Sequence, residues 1–132
     1  MRVTVDTNIL VRATVDDDPR QASLAGQLRR TAEVLVIPIT VLCEFVWVTT
    51  CAYSYRPNDV AAAIRALLAT STVQVDRTTV EAGLAMLDAG GDFADGVIAF
   101  EGRRLGGPVF ASFDRRATEL IAATGAETHL LG

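Results

Sequence analysis

The sequence predicts an α/β protein: a single domain whose central, mostly parallel sheet of four to five strands carries helices on both faces. Three observations point there. Short apolar, β-branched runs alternate with stretches of helical periodicity through most of the chain, the pattern of strands joined by crossover helices. The first such run, Val3-Thr4-Val5, has no alternating polar face, as expected of a strand buried on both sides in a parallel sheet. The length of 132 residues, half of them hydrophobic, supports one real core, and no repeat, low-complexity tract or linker divides the chain.

Taken in order, Val3 to Val5 forms the first strand and drives straight into Asp6. Asn8 is a candidate cap for a short helix over Ile9 to Ala13. Asp16-Asp17-Asp18-Pro19 is a loop whose acids favour the N-terminus of a helix from Arg20 to about Thr31. Leu24, Ala25, Leu28 and Ala32 give that helix an apolar stripe. Val34 to Ile37 is the second strand, ended by Pro38. Thr40 is a plausible cap for a helix to about Cys51. Tyr53 to Asn58 is a loop, and Asn58 or Asp59 caps the next helix, where Val60, Ala61, Ile64, Leu67 and Leu68 follow helical spacing. Val73-Gln74-Val75 is a third strand. Thr79 to Ala89 is a helix with Val80, Leu84 and Leu87 inward, stopped by Gly90-Gly91. Asp92 opens a helix to Leu105 with Val97 and Ile98 inward, broken by Gly106-Gly107-Pro108. Val109 to Ser112 is a fourth strand, Asp114 caps a last helix to about Thr124, and Glu127 to Leu131 adds an edge strand.

Composition narrows the function. The formal charge is −4, so no global basic field draws in nucleic acid, and any such role rests on a local patch or a bound metal. All 12 basic residues are arginine. The absence of lysine excludes every mechanism that needs a catalytic or phosphate-binding lysine. A G+C-rich genome explains the bias; suitability for bidentate phosphate contact is a second reading. Cys43 and Cys51 lack metal-type spacing and read as buried thiols of a reducing cytoplasm. The opening residues do not read as a signal peptide. Val34 to Tyr53 is almost wholly apolar, but Pro38 divides it and Glu44 is costly in lipid, so strand, turn and helix are expected rather than a membrane span.

Four acids stand out because each follows or interrupts an apolar run: Asp6, Glu44, Asp95 and Asp114. In an open α/β sheet the crevice beyond the carboxyl ends of the strands is the functional one, and Asp6 and Asp114 fall just after strands. Glu44 lies among Val41, Leu42, Phe45, Val46 and Trp47, where a carboxylate is expensive unless paired, protonated or metal-bound. A buried ion pair to an arginine is the plainer explanation. Asp92 and Asp95 share one helix face, Asp92 at the cap and Asp95 in the third helical position, resembling a capping box. Gly90-Gly91 and Gly96 leave room for a ligand beside Asp95. Asp6, Asp92 and Asp114 are also explained as turn or cap residues. Arg115 and Arg116 are candidate phosphate contacts or plain solvated charges. The lone His129, near the C-terminus, is assigned no catalysis, so a histidine-activated nucleophile is not expected.

Four clustered carboxylates need a cation to ionise together. Oxygen-only ligands select Mg²⁺ or Mn²⁺ over zinc. Such ions lower the pKa of water and polarise a phosphodiester. An acidic cluster of this kind repels RNA until metal arrives, which reconciles a net-negative chain with a nucleic-acid substrate.

Asp6-Thr7-Asn8 after the first strand, Glu44 in the helix after strand two, Gly91 to Asp95 opening a later helix, and Ser112-Phe113-Asp114 after a late strand resemble the PIN domain. More narrowly they resemble the VapC-type toxins of bacterial type II toxin–antitoxin pairs. The resemblance spans nearly the whole chain. It implies a PIN-like domain over residues 1–132 with Asp6, Glu44, Asp95 and Asp114 as catalytic, metal-site acids and Asn8, Asp92 and Ser112 in support. Ser112 stands where such proteins often carry threonine, and keeps the hydroxyl. It further implies a Mg²⁺-dependent (or Mn²⁺-dependent) cytoplasmic endoribonuclease, a small cognate antitoxin and a homodimer. A haloacid-dehalogenase-type phosphatase needs a second aspartate where Asn8 stands, and a lysine; a receiver-like phosphoacceptor domain also needs a lysine. A PIN-like module that has lost catalysis and only binds is the remaining alternative, and the presence of all four acids argues against it.

Overall fold

The computed structural model describes all residues, Met1–Gly132. It is an α/β structure with seven α-helices and five strands, every strand pair parallel. The chain divides into two compact units, Met1–Arg77 and Thr78–Gly132.

The first unit holds β1 (Arg2–Thr4), α1 (Thr7–Thr14), α2 (Pro19–Thr31), β2 (Val34–Val36), α3 (Ile39–Trp47), α4 (Pro57–Leu68) and β3 (Val73–Gln74). Its sheet runs β1-β2-β3, with Val3 opposite Leu35 and Leu35 opposite Val73. Parallel neighbours finish at the same edge, so α1 and α3 leave the sheet side by side and pack together. Val5, Leu35, Ile37, Leu42, Phe45, Val60 and Ile64 are buried. β1 is not covered on both sides, because Thr4 is exposed. A π-helical turn, Val48–Ala52, continues α3 and carries Thr49 and Thr50, whose hydroxyls donate back to the Phe45 and Val46 carbonyls.

The second unit holds α5 (Arg77–Asp88), α6 (Phe93–Arg104), β4 (Val109–Ser112), α7 (Arg115–Ala123) and β5 (Glu127–Leu130), with β4 and β5 paired. The strands therefore form ladders of three and two rather than one continuous ladder. The boundary between α5 and α6 follows the sequence closely. Gly90 takes φ +88, and Gly90 and Gly91 donate to the Leu87 and Met86 carbonyls at 3.1 and 2.8 Å, a glycine-closed helix end. Gly83 and Gly96 let α5 and α6 approach each other. A Cβ on Gly83 would stand 2.6 Å from the Phe93 ring, and one on Gly96 would strike the Ala82 carbonyl.

Several expected caps are held by other residues. Asp6, not Asn8, caps α1; Asn8 sits one position inside that helix because the strand ends earlier. Pro38, not Thr40, opens α3 without a side-chain cap. Pro57 starts α4, with Arg56 before it, so Asn58 and Asp59 lie within the helix; proline favours the first helical position, where no N–H is needed. Leu24 and Ile98, expected inward, are exposed, each at the margin of its helix's apolar stripe. Cys51 is exposed at the end of the π-turn and Cys43 half-buried, and neither is in a disulfide.

Candidate active site

In the first unit, β1 ends at Thr4 and Asp6 closes the turn into α1. Its Oδ1 accepts the Ile9 N–H at 3.1 Å, and the carboxylate stays exposed. That bond holds one oxygen and leaves the second without a protein hydrogen bond. The next residue, Thr7, donates its hydroxyl to Glu44 Oε2 at 3.1 Å, across 37 positions of sequence. The parallel pairing of β1 with β2 and the packing of α1 on α3 bring these ends together. Glu44 is exposed, not buried. Leu42, Phe45 and Val46 fill the buried face of α3, while Thr40, Glu44 and Trp47 turn to solvent at helical spacing. Its carboxylate therefore bears no large desolvation cost and has no arginine partner. An apolar neighbourhood in sequence did not mean an apolar neighbourhood in space.

In the second unit, Asp92 and Asp114 each cap a helix. Asp92 Oδ1 accepts from Ala94 N–H at 3.1 Å, and Asp114 Oδ1 from Ala117 N–H at 3.0 Å. Asp114 follows β4 as Asp6 follows β1, two residues beyond the strand, with the same hydrogen bond to the third residue on. Ser112 Oγ accepts the Asp114 N–H at 3.0 Å and fixes that turn. The reciprocal bond of a capping box is not made: Asp92 bonds the second helical N–H, and Asp95 is left free to face its neighbours. Asp92, Asp95 and Asp114 line one shallow cavity of about 160 Å³ together with Gly90, Gly91 and Arg116. The pKa of Asp95 is raised, first by partial burial and then by the negative charges of Asp92 and Asp114.

The donor chemistry suits a hard divalent cation. Every candidate ligand is a carboxylate oxygen, and the capped aspartates each keep an uncommitted oxygen. A cation would also remove the repulsion that raises Asp95. No group of three or more His, Cys, Asp or Glu side chains already stands in metal-holding positions. The caps hold Asp92 and Asp114 on their own turns.

Three features escaped the sequence. Thr7 positions Glu44, and only its place beside Asp6 hinted at that. Arg116 donates to the Gly90 carbonyl at 3.1 Å, so it braces the acidic cavity; Arg115 is exposed. Asp17, expected as a loop acid near a helix N-terminus, joins Arg12 at 2.7 Å and Tyr53 at 2.9 Å, and the Tyr53 hydroxyl and Arg12 hold its pKa below the usual carboxylate range. Gly96 also differs from expectation: it serves the approach of α6 to α5, not that of a ligand.

No helix is long and apolar enough to cross a membrane. No curated protein matches the chain. The family model of the PIN domain matches residues 3–122, a range that contains Asp6, Glu44, Asp92, Asp95 and Asp114 and stops before β5.

Proposed function

This chain belongs to the PIN domain family, whose members are metal-dependent nucleases that bind RNA, and on that premise we propose that it is a Mg²⁺-dependent endoribonuclease and the toxin of a type II toxin–antitoxin pair. The observation that carries this reading is the acidic cavity of the second unit, lined by Asp92, Asp95 and Asp114, where partial burial and then the charges of Asp92 and Asp114 raise the Asp95 pKa. Such a cavity favours a cation over any anionic ligand.

In this proposal Asp6, Glu44, Asp95 and Asp114 are the acids that hold Mg²⁺ or Mn²⁺. The ion, when bound, supplies Lewis acidity toward a phosphodiester and a lower pKa for water. The chain's own residues bind and orient. Thr7 sets the Glu44 carboxylate, Ser112 sets the turn that carries Asp114, Asp92 supports the cavity, and Arg116 braces its rim. Asn8, exposed in the first turn of α1, stands beside Asp6 in support. Arg115, exposed in the first turn of α7, contacts substrate phosphate. The chain acts in the cytoplasm as a homodimer until a small cognate antitoxin covers the acids.

Single-stranded RNA incubated with the purified protein is expected to be cleaved with Mg²⁺ or Mn²⁺ and left intact in EDTA, and equal cleavage in both overturns the proposal. Expression alone is expected to slow growth, and a short upstream gene for a DNA-binding protein to relieve it. Thr7→Val removes the hydroxyl that orients Glu44 while keeping the side-chain shape. Loss of such a supporting hydrogen bond lowers metal affinity or activity about 10- to 100-fold. Circular dichroism should show the fold unchanged, and unaltered cleavage would remove Thr7 from the site.

A further inference from the structure

Arg12, Asp17 and Tyr53 of the first unit form a hydrogen-bonded triad that the proposed metal chemistry does not use. Asp17, in the loop after α1, commits both carboxylate oxygens. Its Oδ1 accepts from Arg12 Nη1 at 2.7 Å and its Oδ2 from the Tyr53 hydroxyl at 2.9 Å. Arg12 Nη1 also reaches the Tyr53 oxygen at 3.5 Å, across 41 positions of sequence. The triad thus ties the last turn of α1 to the segment that follows α3. Unusual backbone delivers Tyr53 to this place. The π-turn Val48–Ala52 precedes it directly, and the Thr49 and Thr50 hydroxyls lock that turn. Ser54 follows at φ +55, and the Tyr55 N–H returns to the Thr49 carbonyl at 2.9 Å. π-turns, and positive φ at a residue with a side chain, are rare and concentrate at functional sites. Arg12 Nε is buried without a partner, so the guanidinium serves Asp17 and Tyr53 while one of its own donors goes unsatisfied.

The triad lies on the same two chain segments as the first unit's assigned acids. α1 opens on Asp6 and Thr7 and closes near Arg12, while α3 carries Glu44 and continues through the π-turn to Tyr53. Thr7 joins Glu44 near one end of this packed pair, and Arg12 with Asp17 joins Tyr53 near the other. One hydrogen bond between exposed side chains leaves two helices free to turn about it. A second tie, about 7 Å further along α1, removes that freedom. We propose that Arg12, Asp17 and Tyr53 are positioning residues, a clasp between α1 and the end of the π-turn that keeps the Thr7–Glu44 bond formed and the Asp6 turn beside Glu44. This rests on the reading of Asp6 and Glu44 as metal-holding acids above. Surface stabilisation alone is the less favoured role. Ion pairs this open to solvent contribute little. Pairing Asp17 with an arginine on the adjoining helix also needs neither the π-turn nor the Ser54 backbone.

Tyr53→Phe removes one hydroxyl and leaves the ring. The test titrates Mn²⁺ by calorimetry into the full-length unmutated protein, Tyr53→Phe, Thr7→Val and the double variant, and measures melting temperatures on the metal-free proteins. Tyr53→Phe is expected to weaken Mn²⁺ binding about tenfold, the scale of a lost outer hydrogen-bond partner, with little change in melting temperature. In the Thr7→Val background the same change should have almost no further effect, since the bond it protects is already gone. The two substitutions are then non-additive. Asp17→Asn keeps the side-chain shape but removes the charge that strengthens both bonds, and should behave as Tyr53→Phe does. Equal Mn²⁺ affinity in Tyr53→Phe and the unmutated protein, or losses that simply add in the double variant, overturns the positioning role and leaves the metal-site reading standing. Weakening matched by a large fall in melting temperature assigns the triad to stability alone and also overturns it. Unmutated protein that binds no Mn²⁺ overturns both readings.

Discussion

Asp95→Asn is expected to abolish metal-dependent RNA cleavage and, in the same metal-free protein, to raise the melting temperature. The first effect follows from the proposed ligand role: a neutral amide no longer balances the ion, and the several kcal/mol that an ion supplies correspond to a rate loss of about 10³-fold or more. The second follows from the electrostatics of the metal-free fold. Burial and the charges of Asp92 and Asp114 raise the Asp95 pKa above its ordinary value. The folded state therefore holds this proton more tightly than the unfolded chain does. The stability Asp95 contributes is fully present below the ordinary carboxylate range and is lost as pH rises through the folded-state pKa. At neutral pH its ionised form is a liability, and the amide removes it. Asp95 is half-buried, so solvent screening keeps the gain near 0.5 kcal/mol, about 1–3 °C. The gain should disappear in acid. Added Mg²⁺ should reverse the order, since only the unmutated protein is stabilised by binding it. Calorimetry at neutral and acidic pH, with and without Mg²⁺, checks each part. A variant less stable than the parent in metal-free buffer at neutral pH would contradict the electrostatic picture of the cavity.

Gly96→Ala is expected to carry the largest cost to stability among single-methyl changes in the chain. The added Cβ meets the Ala82 carbonyl and lies 2.8 Å from Met86 Cγ. A backbone carbonyl inside α5 cannot swing aside as a side-chain end can, so α5 and α6 must separate. Overpacking of this kind costs about 1–3 kcal/mol after the modest gain in helix propensity, roughly 5–10 °C in melting temperature. Gly102→Ala on the same helix is the control. Its Cβ would find only the Gly107 carbonyl, at 3.7 Å, an ordinary contact. That variant should be neutral or slightly stabilised, by about 0.5 kcal/mol. Equal melting temperatures for the two variants would refute close helix approach as the reason for Gly96. Because Asp95 precedes Gly96, the Gly96 variant should also weaken metal binding.

The α/β class, the parallel strands and most helix spans were legible, because apolar periodicity and glycine stops are local signals. The helix over Asp92 to Leu105 and the stop at Gly90-Gly91 are examples. The caps were less legible. Asp6 and Pro38 precede their helices where Asn8 and Thr40 are the local favourites, since each preceding strand ends one residue early, and Arg56 stands in for Asn58 or Asp59 because Pro57 takes the first helical position. The sequence places Glu44 in an apolar run, and the fold leaves it exposed. Its neighbours in sequence are buried, but helical rotation carries it to solvent. What places Glu44 beside the Asp6 turn is Thr7, a contact set by strand order and visible only in three dimensions. The role of Gly96 was hidden for the same reason: its close partner, Ala82, lies on another helix. The bond from Arg116 to Gly90 depends on a carbonyl that no side-chain pattern encodes.

The central proposal is that Asp6, Glu44, Asp95 and Asp114 are metal-holding acids. Titration of Mn²⁺ into the unmutated protein, Asp6→Asn and Asp95→Asn by calorimetry tests it most directly. The expected result is Mn²⁺ binding by the unmutated protein that each substitution weakens, by up to about 100-fold, with folding intact. Mn²⁺ binding to Asp6→Asn that matches the unmutated protein would contradict the account.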